Sequence, residues 1–417
     1  TPSTPFCAWH RTDRICHDRV LHRRDSLVAD PASQDSAAAS GTLWWLRSAC
    51  FFQVFAFGVA WPFEGVWMRQ QGLGESLIGA VASLSTAVLL LAGLGWGVVA
   101  DRTGRPDRIV LFGCAGVAAS LAWLTFCSGP QDFALYAIGR GLSMPMIGNL
   151  MPMLAISALG TAAQGRGYAR YRIFGSFGYI CSTLLLPRLL SVGSLFWAAA
   201  AALLTACLPL SQIRIHFQPR RRGGSVRQLL RQRGFVGFLL ASLLFSLATP
   251  AVFTFTAVYA RELGADQVFI GLLAATQGVI AVVALPLTGA MVDRFGVRLL
   301  LWLGFLAQPL RAVGLAFVDD YHFLLLPQAL HFFTWAGFEV AGVLLVNQLA
   351  AEDGGGTAQS LFRGSQVLGS LIGASVCGYL AEFHGYGAMY GIAAGLAACG
   401  WGLFSLLTWR GSQTRAL

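Results

Sequence analysis

Five ionisable residues lie inside long apolar stretches of this 417-residue chain: Glu64, Arg140, Arg311, His331 and Glu339. At the centre of a bilayer a charged side chain costs about 2.5–3.5 kcal/mol on insertion scales, so each must be matched by a partner, a proton or a ligand. Arginine keeps its charge and presents a planar fork that fits a carboxylate. A buried carboxylate near a guanidinium is pulled both ways, by desolvation and by the cation, and can exchange a proton near neutrality. These residue types fit capture of an anion and movement of a proton better than covalent chemistry. All 29 basic residues are arginine, so neither the lysine of a P-loop nor that of a Schiff base is available. The nine cysteines form no C-x-x-C pair, which argues against a metal site or a disulfide framework. No nucleophile–base pair or cofactor loop is visible, so an enzyme is not expected, and no cofactor beyond a coupling proton.

The elements that must position these groups are apolar runs. Hydrophobic residues make up 56% of the chain and charged ones 12%, the composition of a polytopic membrane protein. Twelve runs follow one another, at about 43–68, 75–100, 108–128, 133–158, 168–188, 192–212, 235–261, 267–292, 297–318, 322–350, 357–382 and 386–409. Each can cross a hydrocarbon core of roughly 30 Å. Lipid-facing backbone must satisfy its own hydrogen bonds, so the runs are helices.

Residues 1–42 mix Arg, Asp and His with Pro and Ser and are expected to be a disordered or non-native tail. Residues 213–234 carry seven arginines and divide the runs six and six, giving bundles over 43–212 and 235–410 and a short tail over 411–417. Arginines crowd the loops on one side, which places both termini in the cytoplasm of a bacterial cell and the chain in its inner membrane. The formal net charge of +10 lies in these loops, where the basic linker can rest on anionic headgroups. Nucleic acid is not an expected partner; the lipid bilayer and a small solute are, with the chain acting as a monomer.

A charged turn recurs between the runs. Gly97-Val-Val-Ala-Asp101-Arg102-Thr-Gly104-Arg105 is echoed by Gly289-Ala-Met-Val-Asp293-Arg294-Phe-Gly296-Val297. The same spacing carries Gly72, Ile78 and Gly79 onto Gly264, Ile270 and Gly271. A second match sets Tyr171-Arg172 on Phe362-Arg363, Gly178 on Gly369, and Arg140 on His331. Twelve helices in two halves, each with this turn, resemble the major facilitator superfamily. Tyr168-x-x-x-Arg172-x-x-Gly175-Ser176-x-Gly178, Gln328-Ala-Leu-His331 and Ala358-Gln359-Ser360-Leu361 resemble its branch holding phenylpropionate permease, nucleoside–proton symporters and lactose permease.

The resemblance implies an all-α fold of two pseudo-symmetric six-helix bundles that rock about a central site. It implies that helices one, four, seven and ten line the cavity. The solute or proton pathway then comprises Gln53, Glu64, Arg140, Arg311, His331 and Glu339. Gln53 precedes Glu64 by eleven residues, which returns to within roughly 20° of the same helix face. Glu64 faces either the cavity or outer water, and Arg140 meets either a solute or Glu64. Arg311 and His331 have the twenty-residue spacing of the matching pair in lactose permease, but Thr334 stands where that protein has its carboxylate. Glu339 is therefore the expected proton site. Thr249, Thr254, Thr256, Tyr259 and Gln277 are expected to supply the remaining polar lining. The resemblance assigns Gly97, Asp101, Arg102, Gly104, Arg105, Asp293, Arg294, Gly296, Arg172 and Arg363 to gating, with Asp101 meeting residues 358–363. The expected function is proton-coupled import of an aromatic carboxylate, nucleoside or sugar; drug–proton antiport is the alternative.

Overall fold

The computed structural model describes residues 31–159, 164–213, 226–350 and 355–413. The chain divides into two units at Gly41/Thr42. Of the first, only the opening turns of a helix over Pro31–Gln70 are described, so helix begins twelve residues before the expected boundary at Leu43. Residues 1–30 of the tail expected over 1–42 and linker residues 214–225 lie outside the described residues, as does 414–417. The described end of the linker is a short helix, Val226–Arg231.

All regular structure among the described residues is helical. Ten stretches are long and apolar enough to cross a bilayer. One of them, Gly356–Leu407, breaks at Gly385, where φ is 81°, and holds two helices. Gln164–Leu189 adds a further helix of 26 residues. The helices are α1 (Gly41–Gln70), α2 (Glu75–Thr103), α3 (Pro106–Leu124), α4 (Pro130–Leu159), α5 (Gln164–Leu189) and α6 (Val192–Ser211). The second half continues with α7 (Arg233–Glu262), α8 (Gln267–Phe295), α9 (Val297–Ala316), α10 (Tyr321–Leu349), α11 (355–384) and α12 (386–413).

Each half packs on itself, through α2/α4, α3/α4 and α3/α6 in the first and through α7, α9, α11 and α12 in the second. The core of the second bundle is a ring stack, with Phe238, Phe245, Phe305, Phe338, Phe362 and Phe404 in mutual contact. Three helices are interrupted. α4 breaks at Asn149 after Pro145, and α7 breaks at Ala248 before Pro250. α10 opens with 3₁₀ turns and carries a π-helical turn over Gly337–Gly342. Such breaks are tolerated at membrane depth where protein or a water-filled cavity receives the freed backbone groups.

The sequence repeat is a repeat of contacts. Gly72 and Gly264 both take left-handed φ, 87° and 93°, in the tight turns before α2 and α8. A β-carbon on Gly79 would collide with the Ala374 carbonyl of α11, and one on Gly271 with the Thr183 carbonyl of α5. Gly178 meets the Phe51 carbonyl of α1 as Gly369 meets the Leu243 carbonyl of α7. The bundles thus touch along two seams, α2/α11 and α5/α8, at the end bearing Gly72. Toward the opposite end of α8, on the helix face that carries Gly271, a β-carbon on Gly289 would meet nothing within 4 Å. Among the described residues the bundles are closed at the Gly72 end and lack such contacts at the Asp101 end.

Because the seams lack room, Gly79→Leu or Gly271→Leu should destabilise the closed end by about 1–3 kcal/mol, the usual penalty for overpacking. Spin labels on unnatural residues at Gln71 and Phe317, both exposed at that end, should report a longer inter-bundle distance. Gly289→Leu should leave that distance unchanged.

Candidate solute-binding site

A cavity of about 480 Å³ lies between the bundles. Both halves line it, through α1, α2, α4 and α5 and through α7, α8 and α10. Its charged lining residues are Glu64, Arg140 and Arg172. Arg140 Nε donates to Glu64 Oε1 at 3.2 Å, and Arg140 Nη1 donates to Ser85 Oγ at 3.1 Å. The two charged side chains are 20% and 15% exposed, so the pair belongs to the wall and is little screened by solvent. Tyr136, one turn before Arg140 on α4, also lines the cavity; its buried hydroxyl lies beside the Glu64 carboxylate without a hydrogen bond of full geometry among the described residues.

Arg172 differs from Arg140. It stands in the wall with Ser176 and Tyr179 of α5 and makes no hydrogen bond or ion pair among the described residues. The motif reading placed it in the gating set, whereas the structure places its side chain against the cavity.

The second bundle supplies a different network. His331 lines the cavity, and Arg311 lies fully buried behind it, with Nη1 3.4 Å from His331 Nδ1. Arg311 also donates to Gln328 Oε1, which accepts from Gln277 Nε2 at 3.1 Å. The Arg311 guanidinium sits 5.0 Å from the ring centre of Phe253, itself a cavity residue. No carboxylate pairs with Arg311 among the described residues. A fully buried cation with only neutral partners is costly, and the polarizable ring face and amide oxygen offset part of that cost.

Glu64, Arg140 and His331 therefore meet at one cavity, Arg311 stands one layer behind, and Gln53 is elsewhere. Gln53 is buried against α3, its amide donating to Cys114 Sγ at 3.2 Å. The face it shares with Glu64 persists along α1, but about 16 Å further on the facing element is α3. Tyr259 leaves the lining too, because its hydroxyl donates to the Val318 carbonyl, and Thr249 bonds the Phe245 carbonyl. Thr254, Thr256 and Gln277 do line the cavity. The side chain of Glu339 lies outside the described residues; its backbone falls in the π-helical turn of α10.

The gating residues gather at the open end. Gly104 takes left-handed φ at 62° and closes α2, with its N–H donating to the Ala100 carbonyl. Gly296 does the same for α8 through Val292, at φ 82°. Arg105 lines a separate recess with Asp107 and Arg108, and Arg294 packs over the Phe295 ring. Arg363 donates to Gln366. Asp101, Arg102 and Asp293 make no hydrogen bond or ion pair among the described residues. The contact expected between Asp101 and residues 358–363 is not formed, because the bundles are apart at that end.

Two bundles closed at one end around a central polar cavity define a membrane transporter that works by alternating access. The family described as "MFS_1 like family" matches residues 43–391, and the chain belongs to it, within the major facilitator superfamily. It is 28% identical to the maltose permease of Geobacillus stearothermophilus over 282 residues, 62% of this chain and 70% of that protein. It is 25% identical to the multidrug resistance protein MdtG of Salmonella arizonae over 410 residues, 90% of this chain and 96% of that protein. Among solved structures, the nucleoside transporter NupG superposes with a TM-score of 0.80 at 15% identity, covering 88% of this chain and 99% of that one. The peptide transporter POT in complex with sulfate gives 0.76 at 13% identity, over 92% and 99%. The chain is a multi-pass secondary transporter, in a family of transporters rather than enzymes.

The wall pair makes a specific energetic prediction. Removing one partner strands the other in a poorly solvated site, so Glu64→Gln and Arg140→Gln should each lower the melting temperature. The double variant should recover part of the loss, with a coupling on the order of 0.5–3 kcal/mol in a double-mutant cycle.

Proposed function

We propose that this chain is a proton-coupled symporter importing a small organic anion, with aromatic carboxylates as the solute class. The observation that carries this reading is the guanidinium of Arg172 in the cavity wall, which pairs with no group among the described residues and stands beside a Glu64–Arg140 pair that is already matched. Among the described residues one carboxylate faces two arginines there, and Arg311 behind His331 pairs with no carboxylate. A positive, poorly hydrated cavity favours an anion and disfavours a cation. Phe57 stacked on Trp61, with Trp61, Phe253 and Trp335 in the lining, suits a flat apolar body.

Coupling follows from competition. A solute carboxylate held by Arg172 draws on Arg140 as well, releasing Glu64 from its partner. An unpaired carboxylate in such a wall is costly, and a proton taken up by Glu64 removes that cost. The Tyr136 hydroxyl, beside the Glu64 carboxylate, is near enough to hydrogen-bond the same groups. Solute and proton then cross together with no net charge added to the bundles. The arginine-rich loops favour a cytoplasmic position for the Asp101 end, which supports reading the conformation as inward-facing and the membrane as the bacterial inner membrane. The MdtG relatives support drug–proton antiport as a second reading, with Glu64 as the cation-attracting group; its pairing with Arg140 weighs against that.

Proteoliposomes loaded with unlabelled aromatic carboxylates should show counterflow of the labelled compound, and an inward proton gradient should drive accumulation. Arg172→Gln should raise KM for carboxylates by about tenfold or more, as expected for loss of a charge-assisted contact. Glu64→Gln should keep counterflow while abolishing gradient-driven accumulation. Accumulation of cations, or extrusion under the same gradient, would establish the antiport reading instead.

A further inference from the structure

The closed end of the molecule is held differently on its two seams. On α5/α8, Gln267 Nε2 donates to the Pro187 and Leu190 carbonyls at 2.7 and 2.9 Å, a neutral contact. On α2/α11, the backbone N–H of Ser76 donates to Glu382 Oε2 at 2.7 Å. Glu75 Oε1 accepts from Arg69 Nε at 3.1 Å and from the Tyr386 hydroxyl at 3.2 Å. Further along the seam, Ser83 donates to the Leu371 carbonyl and accepts from Ser375.

The repeat explains why Glu382 matters. The first N–H groups of a helix have no partner within it, and a side chain at the preceding position usually accepts from them. In α8 that position is Asp266, whose carboxylate accepts from the Phe269 N–H at 2.8 Å. The equivalent residue of α2 is Gly74, which has no side chain to offer. The acceptor for α2 comes instead from the other bundle. It is a carboxylate, favoured also by the positive end of a 29-residue helix. Parting the bundles therefore uncaps α2 and returns its N–H groups and Glu382 to water, whereas α8 keeps its own cap in every state.

We propose that Glu382 is a clasp for the Gly72 end: by capping α2 across the α2/α11 seam, its carboxylate biases the transporter toward closure there. The asymmetry assigns a role to Gly74, which leaves the cap position free for a group from the partner bundle. Glu382 itself lies at the surface, so water competes for the bond and the bias is modest. A clasp of that strength favours one state without freezing the cycle.

Two variants test this in nanodiscs with no solute present, so an error in the proposed solute class would not alter the result. Spin labels on unnatural residues at Gln71 and Phe317 report the inter-bundle distance by pulsed electron resonance. Glu382→Ala should increase the population of the longer distance on the order of fivefold, the size of a lost helix cap. Gly74→Asp should do the same by a different route. It gives α2 a cap of its own, as Asp266 does for α8, and sets a like charge beside Glu382. Hydrogen exchange at the start of α2 separates the two routes: faster in Glu382→Ala, and no faster than wild type in Gly74→Asp. An unchanged distance distribution in a folded Glu382→Ala protein overturns the proposal. Should that variant not fold, Gly74→Asp decides alone, since it retains both carboxylates, and an unshifted distribution there is equally fatal.

Discussion

A guanidinium in a wall that holds little water must be answered by something, and this protein answers its three in three ways. Arg140 has a carboxylate and a hydroxyl. Arg311 has a ring face, an imidazole nitrogen and an amide oxygen. Arg172 has no answering group among the described residues. The gradation from matched to unmatched charge gives the cavity its direction. On the proposed reading, a ligand that brings a carboxylate meets Arg172 first and the competing pair next, and a proton then settles Glu64. The chemistry is carried by the mismatch between neighbouring sites rather than by any single residue.

The two halves place different groups at equivalent positions. Arg140 and His331 correspond, as do Ser85 and Gln277, and each pair faces the same cavity from opposite bundles. In the first half the polar residues satisfy an ion pair; in the second they satisfy a cation that has no ion. Interruptions of α4, α7 and α10 also fall on helices that line the cavity. Backbone freed from helical hydrogen bonds is tolerated where protein or water can receive it, so the breaks and the cavity require each other.

The twelve runs, the repeat and the superfamily were legible because a bilayer leaves few choices: helix length is fixed, and charges are confined to turns or to function. Glu64, Arg140 and His331 were legible for the same reason, since a titratable group at membrane depth needs a cause. What escaped the sequence was rotation. A helix turns about 100° per residue, so Arg172, in a motif that otherwise marks packing against α1, faces the cavity only because of how α5 is set in its bundle. Gln53 failed in the opposite sense, since a shared helix face does not mean a shared neighbour. Ser85 carried a signal that could have been used: it is the repeat partner of Gln277, which had been picked out as polar lining. Glu75 and Gln267 are related in the same way, and both work at the seams.

Alternating access requires two ends that cannot both be tight, and the glycines show how the fold builds that exclusion. Gly79 and Gly271 bring backbones into contact at one end, while Gly289 faces open space further along the seam face of α8. Helices this long behave as levers, so closing the near seams holds the Asp101 turns apart, and Asp101 is left without a partner. The two ends are also chemically unlike. The closed end is fastened by backbone contacts, a borrowed helix cap and the Tyr386–Glu75 hydrogen bond; the open end carries charged turns whose Asp101, Arg102, Asp293 and Arg294 make no ion pair among the described residues. Contacts that form at one end must be lost at the other, so their difference in free energy, not the strength of either, sets which state rests. On the proposed reading, an anion in the cavity adds to neither seam directly. It acts by removing the charge mismatch that both bundles otherwise share.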